Sequence, residues 1–114
     1  GAYFRLVRAQ LRAALEGVKP AHIKKIIIAY EPVWAIGAPA PMSPRDMHEM
    51  AIFIRKSVVE LFGQAAMDIR ILYGGAIDDT TASAMMREGD VAGLLVGRAS
   101  ADAKECAALL GILA

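Results

Sequence analysis

At 114 residues the chain has room for no more than one domain, and 13 Lys and Arg against 12 Asp and Glu leave a net charge of +1, without the basic excess of a nucleic-acid binder. Its one cysteine, Cys106, excludes an intrachain disulfide framework and a cysteine metal cluster, so packing must hold the fold. Counted with glycine and without tyrosine, apolar residues are about 62% of the chain against the roughly 45–50% usual on that definition, which implies a sheet buried on both faces or a surface meant to be covered from outside.

Phe4 to Glu16 sets Leu6, Leu11 and Leu15 among Arg5, Arg8, Gln10 and Arg12, a helical spacing that stops at Gly17 and Pro20. The same arginines interrupt any signal-peptide core, and the apolar stretch Cys106 to Ala114 is far short of the ~20 residues of a membrane span. A cytoplasmic context, with neither membrane nor nucleic acid as partner, is expected. Ile23 to Tyr30, continuously apolar from Ile26, predicts a strand covered on both faces and ended by Pro32. Pro32 to Met42 holds three prolines and no periodicity, so it is a loop of about eleven residues, long enough to suggest function.

Ser43, Pro44 and Asp46 form a helix start, and Met47, Met50, Ala51, Ile54, Val58 and Leu61 make its apolar stripe up to Gly63. Asp68 to Tyr73 predicts a second strand, ended by Gly74-Gly75. Asp78 or Asp79 caps a helix through about Arg87, Val91 to Val96 is a third strand ended by Gly97, and Ala101 to about Leu110 is the last helix. Helices and strands alternate with no hairpin turn between strands, which means parallel strands with right-handed crossovers. Open sheets and closed barrels share this pattern, and in both the site lies at the C-terminal strand edge.

Three strand ends meet at that edge: Glu31 with the long loop, Gly74-Gly75-Ala76, and Gly97-Arg98-Ala99-Ser100. Glycine turns let backbone amides approach an oxyanion, and a helix start behind them adds its positive dipole end. A carboxylate under an apolar loop is how a general base is kept dry, although a glutamate at a strand end is also simply solvated in many proteins. Other candidates carry less. Lys24, Lys25 and His22 lie at the opposite end of the first strand, and His48 sits on a polar helix stripe. His48-Glu49 opens like a zinc-protease motif, yet no second histidine follows at the needed spacing. Met47, Met50, Met85 and Met86 are core filling, and Cys106 is a small packing residue. No metal or cofactor is expected.

The segment Ala29-Tyr30-Glu31-Pro32-Val33-Trp34-Ala35-Ile36-Gly37 resembles the catalytic-base segment and closing loop of the triosephosphate isomerase family. Ile71-Leu72-Tyr73-Gly74-Gly75 resembles that family's seventh-strand turn, and Gly93 to Ser100 its eighth, in the same order. The resemblance implies an α/β fold: a partial (β/α)₈ TIM barrel holding parallel strands 6 to 8 with helices 5 to 8. Residues 1–114 would then be the C-terminal portion of a single barrel domain, since a whole barrel takes ~250 residues. Gly1, where a complete chain would carry Met, agrees with a cut chain.

The implied activity is the glycolytic interconversion of dihydroxyacetone phosphate and glyceraldehyde 3-phosphate by a cytoplasmic homodimer without cofactor. In it Glu31 resembles the base, and Pro32, Val33 and Trp34 the lid hinge, with Ala35 and Ile36 following in the lid. Gly37 resembles the lid residue whose amide meets phosphate; Ala76, Gly97 and Arg98 stand where the fixed phosphate-binding amides stand; Tyr73 resembles a latch, here toward the Met42 amide. Three departures follow. Ala38-Pro39-Ala40-Pro41-Met42 replaces the usual T-G-K-T-A, Ala76 replaces a serine, and Arg98 replaces a glycine, at a cost of roughly 1–2 kcal/mol if its φ must be positive.

The family's catalytic lysine and electrophilic histidine belong to its N-terminal half, which these residues do not match. The expected partners are a small phosphorylated sugar and either that half or a second copy of this chain. Three strands alone would leave open edges and expose inward side chains among Ile26 to Tyr30, Ile69 to Leu72 and Leu94 to Val96. The alternatives are an inactive, self-associating barrel fragment and an isomerase for a related tetrose phosphate.

Overall fold

A computed structural model describes residues 2–32 and 42–113. The predicted loop is therefore described only at Pro32 and Met42; Val33 to Pro41 lie outside the described residues. Helix α1 (Ala2–Ala14) leads through a 3₁₀ helix (Pro20–Lys25) into β1 (Ile27–Tyr30). Helix α2 (Pro44–Phe62) precedes a short 3₁₀ turn (Gln64–Ala66) and β2 (Arg70–Tyr73). Helix α3 (Asp79–Glu88) then joins β3 (Gly93–Leu94), and a 3₁₀ turn (Arg98–Ala101) joins β3 to α4 (Ala103–Leu113).

The sheet runs β1-β2-β3, all parallel, with Ala29 beside Leu72 and Leu72 beside Gly93. Helices on one side of it complete the core. Met47, Met50, Ala51, Ile54 and Val58 of α2 are buried as the stripe predicts, against Ile23, Ile71 and Tyr73. Its start is fixed as expected: Ser43 Oγ accepts from the Asp46 amide at 3.1 Å, with Pro44 in the first turn. Leu61 falls on the stripe by spacing but is exposed.

Several expectations are corrected. On α1 the buried line is Val7 and Leu11, continued by Leu15 in the turn just after it, with Phe4 half-buried, and Leu6 is exposed. At 100° per residue Val7 falls on the Leu11–Leu15 side and Leu6 on the opposite one. Ile23 to Lys25 is 3₁₀ helix, not strand: Pro20 presets its first turn, and Ile23 is buried beneath it. β2 begins at Arg70, later than Asp68, and β3 is two residues long where six were expected, flanked by ladder bonds from the Ala92 and Leu95 amides to β2. Helix α4 runs Ala103–Leu113, later than predicted; Asp102 Oδ1 accepts from the Lys104 and Glu105 amides, both at 3.0 Å.

The largest correction concerns coverage. The first strand was expected to be buried on both faces, yet Ile27 is 51% exposed and Ala29 is exposed, while Ile28 and Tyr30 turn toward the helices. Among the described residues helices cover one face of the sheet only. Part of the apolar excess of the composition lies on that open face, at Ile27, Ala29 and Leu95.

Candidate functional site

Ladder bonds continue past the strand ends and align them. The Gly74 amide donates to the Tyr30 carbonyl and the Leu95 amide to the Tyr73 carbonyl, both at 2.8 Å. A Cβ placed on Gly74 would lie 3.4 Å from Leu95 Cβ and 3.8 Å from Glu31 Cβ. Glu31, Gly74 and Leu95 therefore form one row across the C-terminal edge, on the open face. Glu31 is exposed, whereas Pro32 behind it is fully buried and anchors the point where the chain leaves β1.

Tyr73 faces the other way. Its ring is 1% exposed and folds against Gly75, where a Cβ would come within 2.6 Å of Tyr73 Cζ. Burial raises its pKa, and the Met42 backbone, close to the hydroxyl, lowers it in part without closing a well-formed hydrogen bond. Tyr30 lies beside Tyr73 in the register, and burial, Tyr73 and Tyr3 together push its pKa up to about 12. The predicted Tyr73 and Met42 pair is thus brought together at the mouth of α2. A cleft of about 190 Å³ adjoins it, lined by Ser43, Pro44, Ala76, Ile77 and Thr81 among others.

The two glycine turns differ in what they offer an anion. After Gly75 and the exposed Ala76, Asp78 caps α3: its Oδ1 accepts from the Thr80 and Thr81 amides at 2.9 Å, and the Thr81 hydroxyl accepts from the Asp78 amide at 3.1 Å. These bonds, the Thr80 hydroxyl first, hold the Asp78 carboxyl below its usual pKa. The Thr80 and Thr81 amides of α3 are therefore occupied by Asp78. Sequence reasoning named Asp78 as a possible cap but missed this consequence; the signal was Thr81 three residues later. After β3, Gly97 heads the Arg98–Ala101 turn with no side chain to cap it. The leading amides of that turn have no helical acceptor. Arg98 opens the described 3₁₀ turn, a backbone class whose φ is characteristically negative.

Gly37, Val33, Trp34, Ala35 and Ile36, expected to form the lid, lie outside the described residues. Among the described residues no group of His, Cys, Asp or Glu could hold a metal ion, and no helix is long and apolar enough to cross a membrane. The arrangement is an exposed carboxylate beside two backbone turns, at one end of a half-covered parallel sheet.

The family model described as triosephosphate isomerase matches residues 1–113. The chain belongs to the triosephosphate isomerase family. Curated relatives agree: the triosephosphate isomerase of Moorella thermoacetica is 38% identical over 110 residues, which are 96% of this chain and 44% of that protein. The Aquifex aeolicus triosephosphate isomerase is 41% identical over 110 residues, again 96% of this chain and 44% of that protein. The Roseiflexus triosephosphate isomerase is 46% identical over 96 residues, 83% of this chain and 38% of its own length. The chain thus spans less than half the length of these relatives. A parallel α/β layer with one open face is the form expected of part of a TIM barrel, and family membership accounts for it.

Proposed function

We propose that this chain supplies the proton-transferring carboxylate and part of the phosphate-binding backbone of a triosephosphate isomerase acting in glycolysis. In this reading the three strands are strands 6 to 8 of the barrel, and further chain completes the other five. Glu31 takes a proton from one carbon of dihydroxyacetone phosphate and returns it to the neighbouring carbon, through an enediolate, giving glyceraldehyde 3-phosphate. The amides of Arg98 and Ala76, with Gly97 giving close backbone approach and Gly37 contributing from the lid, hold the phosphate. Tyr73 and Met42 form the latch, and Pro32 to Ile36 move with the lid.

The observation that carries the reading is the row Glu31–Gly74–Leu95, which puts the carboxylate on the open face at the same edge as the uncapped turn after Gly97. A base there reaches a substrate whose phosphate sits at the turn. Of the two turns, the one after β3 is favoured, because Asp78 already uses the amides of α3.

The test is Glu31→Asp in this chain completed with the covering strands of the Aquifex aeolicus relative. Shortening the side chain by one methylene withdraws the base, so kcat should fall by about 10²-fold or more while KM stays within about threefold. Equal effects on both would make Glu31 a binding residue instead.

A further inference from the structure

Helices α1 and α2 share a groove on the side of the helix layer turned away from the sheet. Steps of about 100° per residue set Arg8, Arg12 and Arg5 roughly 60°, 100° and 120° round α1 from the buried Leu11, on the flank where Arg8 meets α2. Tyr3, Leu6 and Gln10 take the opposite flank by the same count. Because α2 follows β1 toward β2 in a sheet ordered β1-β2-β3, chain added at the free edge of β1 meets the Tyr3 flank and leaves the arginine flank clear.

Two adjoining clefts lie on that flank. One, of about 540 Å³, runs along α1 between Arg5, Arg8 and Arg12 over Ala9 and Ala13, with Glu16 at its end. The other, of about 280 Å³, lies against Phe4 and Phe53 and shares Arg5 and Arg8 with the first. Both phenylalanines are half-buried, with ring centroids 4.7 Å apart, so each keeps part of its ring toward the cleft. Arg8 joins the two clefts. Its guanidinium lies 5.4 Å from the Phe53 centroid, within cation–π range, and its buried Nε has no hydrogen-bond partner. Its ion pair with Glu60 is long, at 3.7 Å, and half-exposed, while Arg5 and Arg12 have no ion pair among the described residues. Three guanidinium groups thus stand against two carboxylates, Glu16 and Glu60, beside an aromatic pair.

We infer that this groove binds a nucleoside triphosphate, with the base against Phe4 and Phe53 and the phosphates along Arg5, Arg8 and Arg12. Arginine offers paired N–H donors that match phosphate oxygens, and an aromatic face stacks any base. From Arg5 to Arg12 the helix advances about 10 Å, so the three side chains can meet successive phosphates. A bare phosphate would use only the arginines, and an uncharged aromatic ring only the phenylalanines; a ligand that is flat at one end and polyanionic at the other uses both clefts. No side-chain amide or carboxylate lines the cleft beside the rings to read a base edge, so the site takes a base for its flat face and selects little among bases. Glu31 stands on the other side of the sheet, and the inference does not rest on the isomerase reading.

Isothermal titration of magnesium-free ATP into the 114-residue chain tests it, with inorganic tripolyphosphate as the second probe and circular dichroism to confirm that each variant keeps its helices. One saturable site is expected for ATP, weakened about tenfold or more when Arg5→Glu and Arg12→Glu are combined; both side chains are exposed, so the change spares the core. Phe53→Leu should weaken ATP about fivefold or more and leave tripolyphosphate within about threefold of the parent, because only ATP has a base to stack. No saturation by about 5 mM ATP would overturn the site. So would ATP binding indifferent to the arginine changes, which would move the anion to the turn after Gly97. A Phe53→Leu variant that alters both probes alike, or neither, would reduce the groove to a site for any oligophosphate and overturn the nucleotide assignment.

Discussion

A methyl group at residue 75 has no space to occupy, because the Tyr73 ring lies where it would go. Gly75→Ala should therefore push the ring away from Met42 and cost about 1–3 kcal/mol, seen as a lowered urea midpoint at fixed protein concentration. Gly97→Ala is the control, since a Cβ there meets nothing within 4 Å; an equal loss at both sites would show that the glycines matter for chain flexibility and not for the ring. Tyr30 gives a pH signature. Its pKa stands near 12 when folded, against an ordinary value of 10.0, so above pH 10 the unfolded chain releases a proton that the folded chain keeps. Stability is thus intact below pH 10 and falls as the pH rises through 12. Tyr30→Phe should flatten that part of the stability profile, and an unchanged slope would assign the alkaline loss to other groups. Neither effect is visible in the sequence: the Tyr30–Tyr73 pairing depends on a register between strands more than forty residues apart.

Helix α3 owes its start to one side chain. Asp78 accepts both leading amides, so Asp78→Ala should cost about 1 kcal/mol, while Asp79→Ala, one residue inside the helix, should cost a few tenths. The Asp78 contribution is present above the ordinary carboxylate pKa and fades as the pH falls through its depressed folded value, so the two variants should converge in acid. Thermal melts at pH 7 and pH 2 check both statements. Such local features are the ones the sequence discloses. Ser43, Pro44 and the Met47–Val58 stripe announced α2 because a cap and a 3.6-residue period are properties of a short segment. The glycine turns and Glu31 were legible for the same reason. What the sequence does not disclose is non-local: the length of β3 depends on how far its pairing with β2 runs, and the cover over β1 depends on what lies against it, which an apolar run does not report. Leu6 was chosen over Val7 by residue type where angle decided.

At the scale of the molecule, the described residues form a one-sided layer on which the Glu31 carboxylate is exposed. The layer's second apolar reserve is α4, where Leu109 alone is buried and Leu110 is 62% exposed. The family resemblance places the histidine and lysine that would stabilise the oxyanion of an enediolate in the other half, no histidine or lysine stands on this face among the described residues, and each such donor is worth about 10²–10³ in rate. Glu31, exposed, is then little more than a dissolved carboxylate, and its contribution as a base depends on a positioned substrate that an open sheet does not hold. The isolated chain should therefore interconvert dihydroxyacetone phosphate and glyceraldehyde 3-phosphate no faster than buffer containing an equal concentration of acetate. A coupled assay at high chain concentration, run beside Glu31→Gln, decides the point. Turnover above buffer that vanishes in Glu31→Gln would mean that these strands assemble an electrophile of their own; matching rates for parent and variant would locate the missing catalytic power in the strands that cover the face.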